Sequence, residues 1–136
     1  MKKVRTTALL VVVAHWIVAI LHLFLAAKIL PAPNNNVSWL AIILISSGHL
    51  CVLIALWKLS DKLTGWISFV FFLAALGADF YEHFLHVAPN NVFILVAGDW
   101  TAWFNASVVG LLALEIFACS LGIMLLTGRL SPTAAT

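Results

Sequence analysis

Charge is what this chain has least of. Only 9% of its 136 residues are Asp, Glu, Lys or Arg, against about 25% in an ordinary soluble domain. So little polar surface cannot coat a globule in water, which excludes a soluble fold and implies an integral membrane protein. Cysteine is nearly absent. Cys51 and Cys119 stand alone inside apolar runs. With no CxxC spacing they exclude a disulfide framework and a zinc ribbon, and read as small buried core residues. There is no basic field either. The net charge is +2, so nucleic acid is excluded as a partner. The length allows a single domain, 1–136, and no second one.

What is abundant is apolar: 64% of the residues are hydrophobic. They gather into four runs close to the roughly 20 residues that a bilayer core requires. The first helix is expected over 7–28, ending before Pro31 and Pro33, with Asn34, Asn35 and Asn36 as a polar turn. The opening MKKVRTT mimics a secretory signal. The apolar run to Ala27 exceeds the roughly 7–15 residues of such a segment, so it is read as a retained transmembrane helix. The second helix is expected over 38–57, with Ser38 as N-cap. Lys58, Asp61 and Lys62 make a charged loop. The third helix spans 64–86, before Pro89. The fourth spans 100–127, with Asp99 as N-cap after Gly98. The apolar residues 92–98 are either an interfacial, re-entrant piece or an extension of helix four. One unbroken helix from 92 would overshoot the bilayer.

Lys2, Lys3, Arg5, Lys58, Lys62 and Arg129 all fall at one end of these spans. The opposite loops carry no Lys or Arg, and only Lys28 snorkels there. The positive-inside rule then gives an all-α, four-transmembrane-helix up-down-up-down bundle, N-in and C-in, multi-pass in a cell membrane. Trp39, Trp57, Trp66 and Trp100 fall near helix ends, as an aromatic belt requires. Asn36-Val37-Ser38 fits a glycosylation sequon in an outward loop. A faint repeat offset by 61 places His22 on His83 and Trp39 on Trp100, compatible with two related hairpins.

Ionisable residues inside a membrane helix cost several kcal/mol unless paired, wetted or neutral, so their depth is informative. The stretch 79–86, DFYEHFLH, holds four of them. Asp79, Glu82, His83 and His86 are spaced by three, four and seven, which puts them on one face of an ideal helix. His15 and His22 share a face of helix one with the small residues Val18 and Ala19. His49, with Ser46 a turn above it, lies near the middle of helix two, and Glu115 near the middle of helix four. Two layers result. The outer one holds His22, Asp79, Glu82, His83 and Asn105, with His86 toward the interface. The middle one holds His15, His49 and Glu115.

Three chemistries use such residues. In the first, a divalent transition metal (Zn, Fe, Mn or Cu) sits on His22, Asp79, Glu82 and His83. His15, His49, Glu115, His86 and Asn105 then form a second layer that ligates or orients. The pocket would open outward onto a small or lipid-like ligand, Tyr81, Phe80, Trp103 and Phe104 being candidate lining. The second is haem b, in a cytochrome or quinone-linked subunit, with His15 and His49 or His22 and His83 as axial pairs. His15 and His22 are only about 10 Å apart along the axis, which excludes two stacked haems. The third is a proton path, which the apolar inner half makes a blind vestibule rather than a channel. Against all three stands a structural role, in a homo-oligomer or as a subunit of a larger membrane complex.

Overall fold

A computed structural model describes residues 2–30, 38–87, 89–95 and 97–128. It has four helices. α1 is Lys2–Ile29, α2 is Trp39–Lys58, α3 is Asp61–Phe80 and α4 is Thr101–Thr127. α3 continues into one π-helical turn, Tyr81–Leu85. All four spans are long and apolar enough to cross a membrane. Pro31, Pro33, Asn34, Asn35, Asn36, Val37 and Arg129 lie outside the described residues, and with them the Asn-rich turn and most of the sequon.

Two helix starts are earlier than the hydropathy predicts. α1 begins at Lys2 and not near residue 7. In its polar first turns the Thr6 and Thr7 hydroxyls turn back onto the carbonyls of Lys2 and Lys3 at 3.2 and 3.0 Å. α3 begins at Asp61, which leaves only Leu59 and Ser60 between α2 and α3. Ser60 caps α3 by accepting from the Leu63 amide at 3.4 Å, and Asp61 in the first turn suits the helix dipole. Arg5 pins this junction from α1. It donates to the Asp61 carboxylate and to the carbonyls of Leu56 and Leu59 at 2.6 Å each. Thr64 Oγ1 closes the joint by donating to the Ala55 carbonyl at 2.8 Å.

Ser38 caps α2 as expected, accepting from the Ala41 amide at 3.3 Å. Asp99 is not the cap of α4. Trp100 occupies that position without a side-chain cap bond, because the turn closed by Thr101 N–H to the Gly98 carbonyl at 3.1 Å runs straight into the helix. Residues 92–95, 97 and 98 are therefore no extension of α4. Gly128 ends that helix at φ 63°, a left-handed conformation open to glycine.

Arg5 touches Leu56, Leu59 and Asp61, and Gly65 lies against Gly122 and Leu126, so the start of α1, the α2–α3 junction and the end of α4 share one end, here called the basic end. α4 packs broadly against α3 and α1, whereas α2 leans more lightly on α1 and α3. Only His49, Val52, Ala55 and Leu56 of α2 are buried. This light contact corrects the reading of Cys51, which faces outward, while Cys119 is buried as expected. Trp39, Trp57, Trp66 and Trp100 are all exposed. Toward the basic end Val4, Ala8, Val12, Val52, Phe72 and Leu125 belong to the main apolar core. A smaller core of Leu25, Phe104 and Val108 sits toward the other end.

α3 and α4 approach each other backbone to backbone. A Cβ on Gly65 would lie 2.7 Å from both the Gly122 carbonyl oxygen and the Leu126 nitrogen, and one on Gly122 would lie 3.0 Å from the Phe69 nitrogen. The two backbones touch, as small residues allow in membrane bundles. Gly77, by contrast, would admit a Cβ with nothing within 4 Å. Gly65→Val is therefore expected to destabilise by about 1–3 kcal/mol through overpacking. Gly77→Ala should be neutral or stabilising by up to about 1 kcal/mol. Thermal melting in detergent, followed by circular dichroism, checks both, and equal melting temperatures for the two variants would refute the seam.

Candidate functional site

The middle layer is assembled as the depths predict. His15 from α1, His49 from α2 and Glu115 from α4 meet at 3%, 1% and 0% exposure. His15 Nδ1 lies 2.7 Å from His49 Nε2, and His15 Nε2 lies 3.0 Å from Glu115 Oε1. His49 Nδ1 lies 2.6 Å from the Ile45 carbonyl oxygen. Phe72 packs edge-on against His15, and Phe71 edge-on against His49, which closes the layer.

These bonds fix the protons. A carbonyl only accepts, so His49 Nδ1 carries a hydrogen and donates to Ile45. Neutral His49 Nε2 is then an acceptor, and His15 Nδ1 must donate to it. His15 thus reaches Glu115 through its other nitrogen. The proton between Nε2 and Oε1 is the one that the geometry leaves free to sit on either partner.

The outer layer is held the same way. Ser107 Oγ donates to the Phe104 carbonyl at 2.7 Å, so it accepts from His22 Nδ1 at 2.9 Å. His83 Nδ1 donates to the Asn90 carbonyl at 3.1 Å. The His22 and His83 rings meet edge to face with centroids 4.9 Å apart, and Phe104 packs on both. Asp79 lies between the layers, where its carboxyl interacts with Glu115, His83 and His15. Among the described residues no conventional hydrogen bond reaches Glu115 Oε2, which is buried.

Glu82 and His86 do not join this interior. They pair with each other at 3.2 Å, with side chains 47% and 46% exposed. The cause is the π-helical turn. The His86 amide reaches back to the Tyr81 carbonyl at 2.7 Å, five residues instead of four. That extra residue breaks the 3.6-residue register that had put all four groups on one face. His83 keeps the interior, and Glu82 and His86 are swung out. Asn105 is half-buried, and its Oδ1 has no hydrogen-bond partner. Phe104 is fully buried, while Phe80, Tyr81 and Trp103 are exposed and do not line a common pocket with it.

The segment 89–95 folds over His83. The Val92 amide donates to the His83 carbonyl at 3.0 Å. Asn91 donates to the His86 carbonyl at 2.8 Å and accepts from the Phe93 amide at 3.0 Å. Val92 and Leu95 pack on the core of Leu25, Phe104 and Val108. His22 and His83 are left only 8% and 4% exposed.

Hydropathy and depth did not single out Ser107, Asn91 or the carbonyls of Ile45 and Asn90. The one available signal was Pro89-Asn90-Asn91, a turn sequence directly after the polar stretch. Among the described residues no group of three or more His, Cys, Asp or Glu is arranged to hold a metal ion, so metal binding is not shown. No protein-family model, curated protein or solved structure matches the chain. The molecule is thus an all-helical bundle with membrane-length apolar helices and buried histidines, and its chemistry is read from its own geometry.

Removing the Asn91 side chain should loosen the cover over His83. In Asn91→Ala the His86 carbonyl and the Phe93 amide lose their partner, at a cost of about 1–3 kcal/mol. Acylation of His83 by diethyl pyrocarbonate should speed up in the variant. The reaction at exposed His86 should barely change. An unchanged His83 rate, read by peptide mass spectrometry, would mean that the 89–95 segment does not shield it.

Proposed function

We propose that this is a small multi-pass membrane protein whose buried His15–Glu115 pair binds and releases a proton, with Asp79 as the next acid along the route. The observation that carries this reading is the use of both ring nitrogens of His15. A single metal ion takes one nitrogen from a ring. Here one nitrogen bonds His49 and the other bonds Glu115, the arrangement of a proton relay. The relay ends at the Ile45 carbonyl, which cannot pass a proton on. The apolar core of Val12, Val52, Phe72 and Leu125 occupies the half toward the basic end. A loading site reached from the opposite end fits this arrangement better than a through-channel. With the lysines inside, that end is the outer leaflet and both termini are cytoplasmic.

Infrared spectroscopy of the detergent-solubilised protein across a pH jump tests it. The wild type should show a deuterium-sensitive carboxyl change that Glu115→Gln removes and Asp79→Asn alters. A spectrum identical in wild type and Glu115→Gln would sink the relay. His49→Phe should cost about 1–3 kcal/mol of stability, since it strands the His15 Nδ1 hydrogen in an apolar interior. Detergent melting measures that cost.

A second reading keeps a transition metal (Zn, Fe, Mn or Cu), at the outer pair. His22 and His83 each spend Nδ1 on Ser107 or the Asn90 carbonyl. This is how metal-binding imidazoles are usually oriented, with Nε2 left to ligate. Asp79 is the nearest acid that could join them. Stoichiometric metal in a clean preparation, lost in His83→Ala, would support it. Haem b has less in its favour at His15 and His49, whose nitrogens bond each other where a macrocycle would have to sit. A Soret band would reinstate it.

A further inference from the structure

At the basic end a groove of about 340 Å³ runs between α1 and α2, lined by Arg5, Thr6, Leu9, Leu53, Leu56 and Trp57. Its volume reaches the lower range of small-molecule sites, about 300 Å³. It exists because α2 packs lightly on α1, leaving Leu9 44% and Trp57 77% exposed. Its lining is mixed: Leu9, Leu53, Leu56 and Trp57 are apolar or aromatic, and Arg5 and Thr6 are polar. Arg5 is committed to Asp61 and to the Leu56 and Leu59 carbonyls, so it fixes the wall and is not itself the capturing group. Lys58 is held at the rim with its ammonium 3.8 Å over the Trp57 ring. Among the described residues this end carries Lys2, Lys3, Arg5, Lys58 and Lys62 against Asp61 alone. Another groove, about 230 Å³, is lined by the uncharged Trp16, Ile17 and Ile20.

We propose that the α1–α2 groove is a binding site for one anionic phospholipid, with an acyl chain along Leu9, Leu53 and Leu56 and the phosphate on Lys58. An apolar slot at bilayer depth is filled by lipid chains whatever their headgroup. The basic rim is what selects among them, because cations at the membrane surface favour anionic headgroups. The site lies at the far end of the bundle from His22 and His83 and does not depend on the relay.

The test uses native mass spectrometry of the whole protein, with phosphatidylglycerol, phosphatidylcholine and glycerol 3-phosphate as probes. Wild type should retain one phosphatidylglycerol roughly five-fold more than phosphatidylcholine, and glycerol 3-phosphate alone should not be retained. Lys58→Glu should abolish the preference while keeping chain binding. Leu53→Trp, which fills the groove, should abolish retention of both lipids. If its lipid-free melting temperature falls below that of wild type, Leu9→Trp at the more exposed wall replaces it. Equal retention of the two lipids by wild type would overturn the proposal, as would a preference that survives Lys58→Glu. Retention of glycerol 3-phosphate by itself would also overturn it, marking a surface anion site without a chain.

Discussion

One hydrogen bond sets the terms for the whole interior: His49 Nδ1 to the carbonyl of Ile45, one helical turn back on the same helix. Because that carbonyl can only accept, it dictates the tautomer of His49, then the donor nitrogen of His15, then the atom of His15 that faces Glu115. Three helices are aligned by a chain of bonds whose polarity comes from a backbone group. Truncating any member leaves a buried donor or acceptor unpaired, which is expensive where no water can substitute. The same logic recurs at the outer pair, where Ser107 and the Asn90 carbonyl fix His22 and His83. The protein therefore holds its ionisable groups in an apolar bundle by giving most of their protons one allowed place.

Much of the scaffold was legible in the sequence, because burial in lipid leaves a coarse and strong signal. Four apolar runs gave four helices, and Ser38 gave a cap. The middle layer was legible as well. His15, His49 and Glu115 were assigned equal depth on separate helices, and they touch. The outer layer was legible only in part. Its error came from treating 79–86 as ideal α-helix, where residues three and four apart share a face. A π-helical turn depends on what packs around it, here the returning 89–95 segment and the Phe84–Phe93 contact. No local spacing announces it. An ideal α-helix would turn Glu82 and His86 inward, whereas in the fold they face outward. Backbone partners such as Ile45 escaped for a related reason, since a carbonyl is present at every position and a sequence does not mark which one is used.

Packing is uneven around the bundle. The α3–α4 seam brings backbone against backbone at Gly65 and Gly122, while α2 turns most of its surface outward. Yet α2 supplies His49, so the end of the relay is carried by the least embraced helix. Arg5 offsets this by fastening the last turn of α2 to the start of α3 from a third helix. Trp16 does so again higher up, donating to Ser46 at 3.1 Å.

The position of α4 in the chain has a consequence for biogenesis. It follows α1, α2 and α3 out of the ribosome, and it carries Glu115, Ser107 and Gly122. Until it arrives, His15 lacks the Glu115 carboxyl, His22 lacks the Ser107 hydroxyl, and Gly65 of α3 lacks the backbone of Gly122. α1, α2 and α3 alone therefore hold imidazole nitrogens whose α4 partners are still to be supplied, which is costly in an apolar interior. A chain that stops before Ser107 leaves both of these imidazole bonds unmade, and adding α4 completes them.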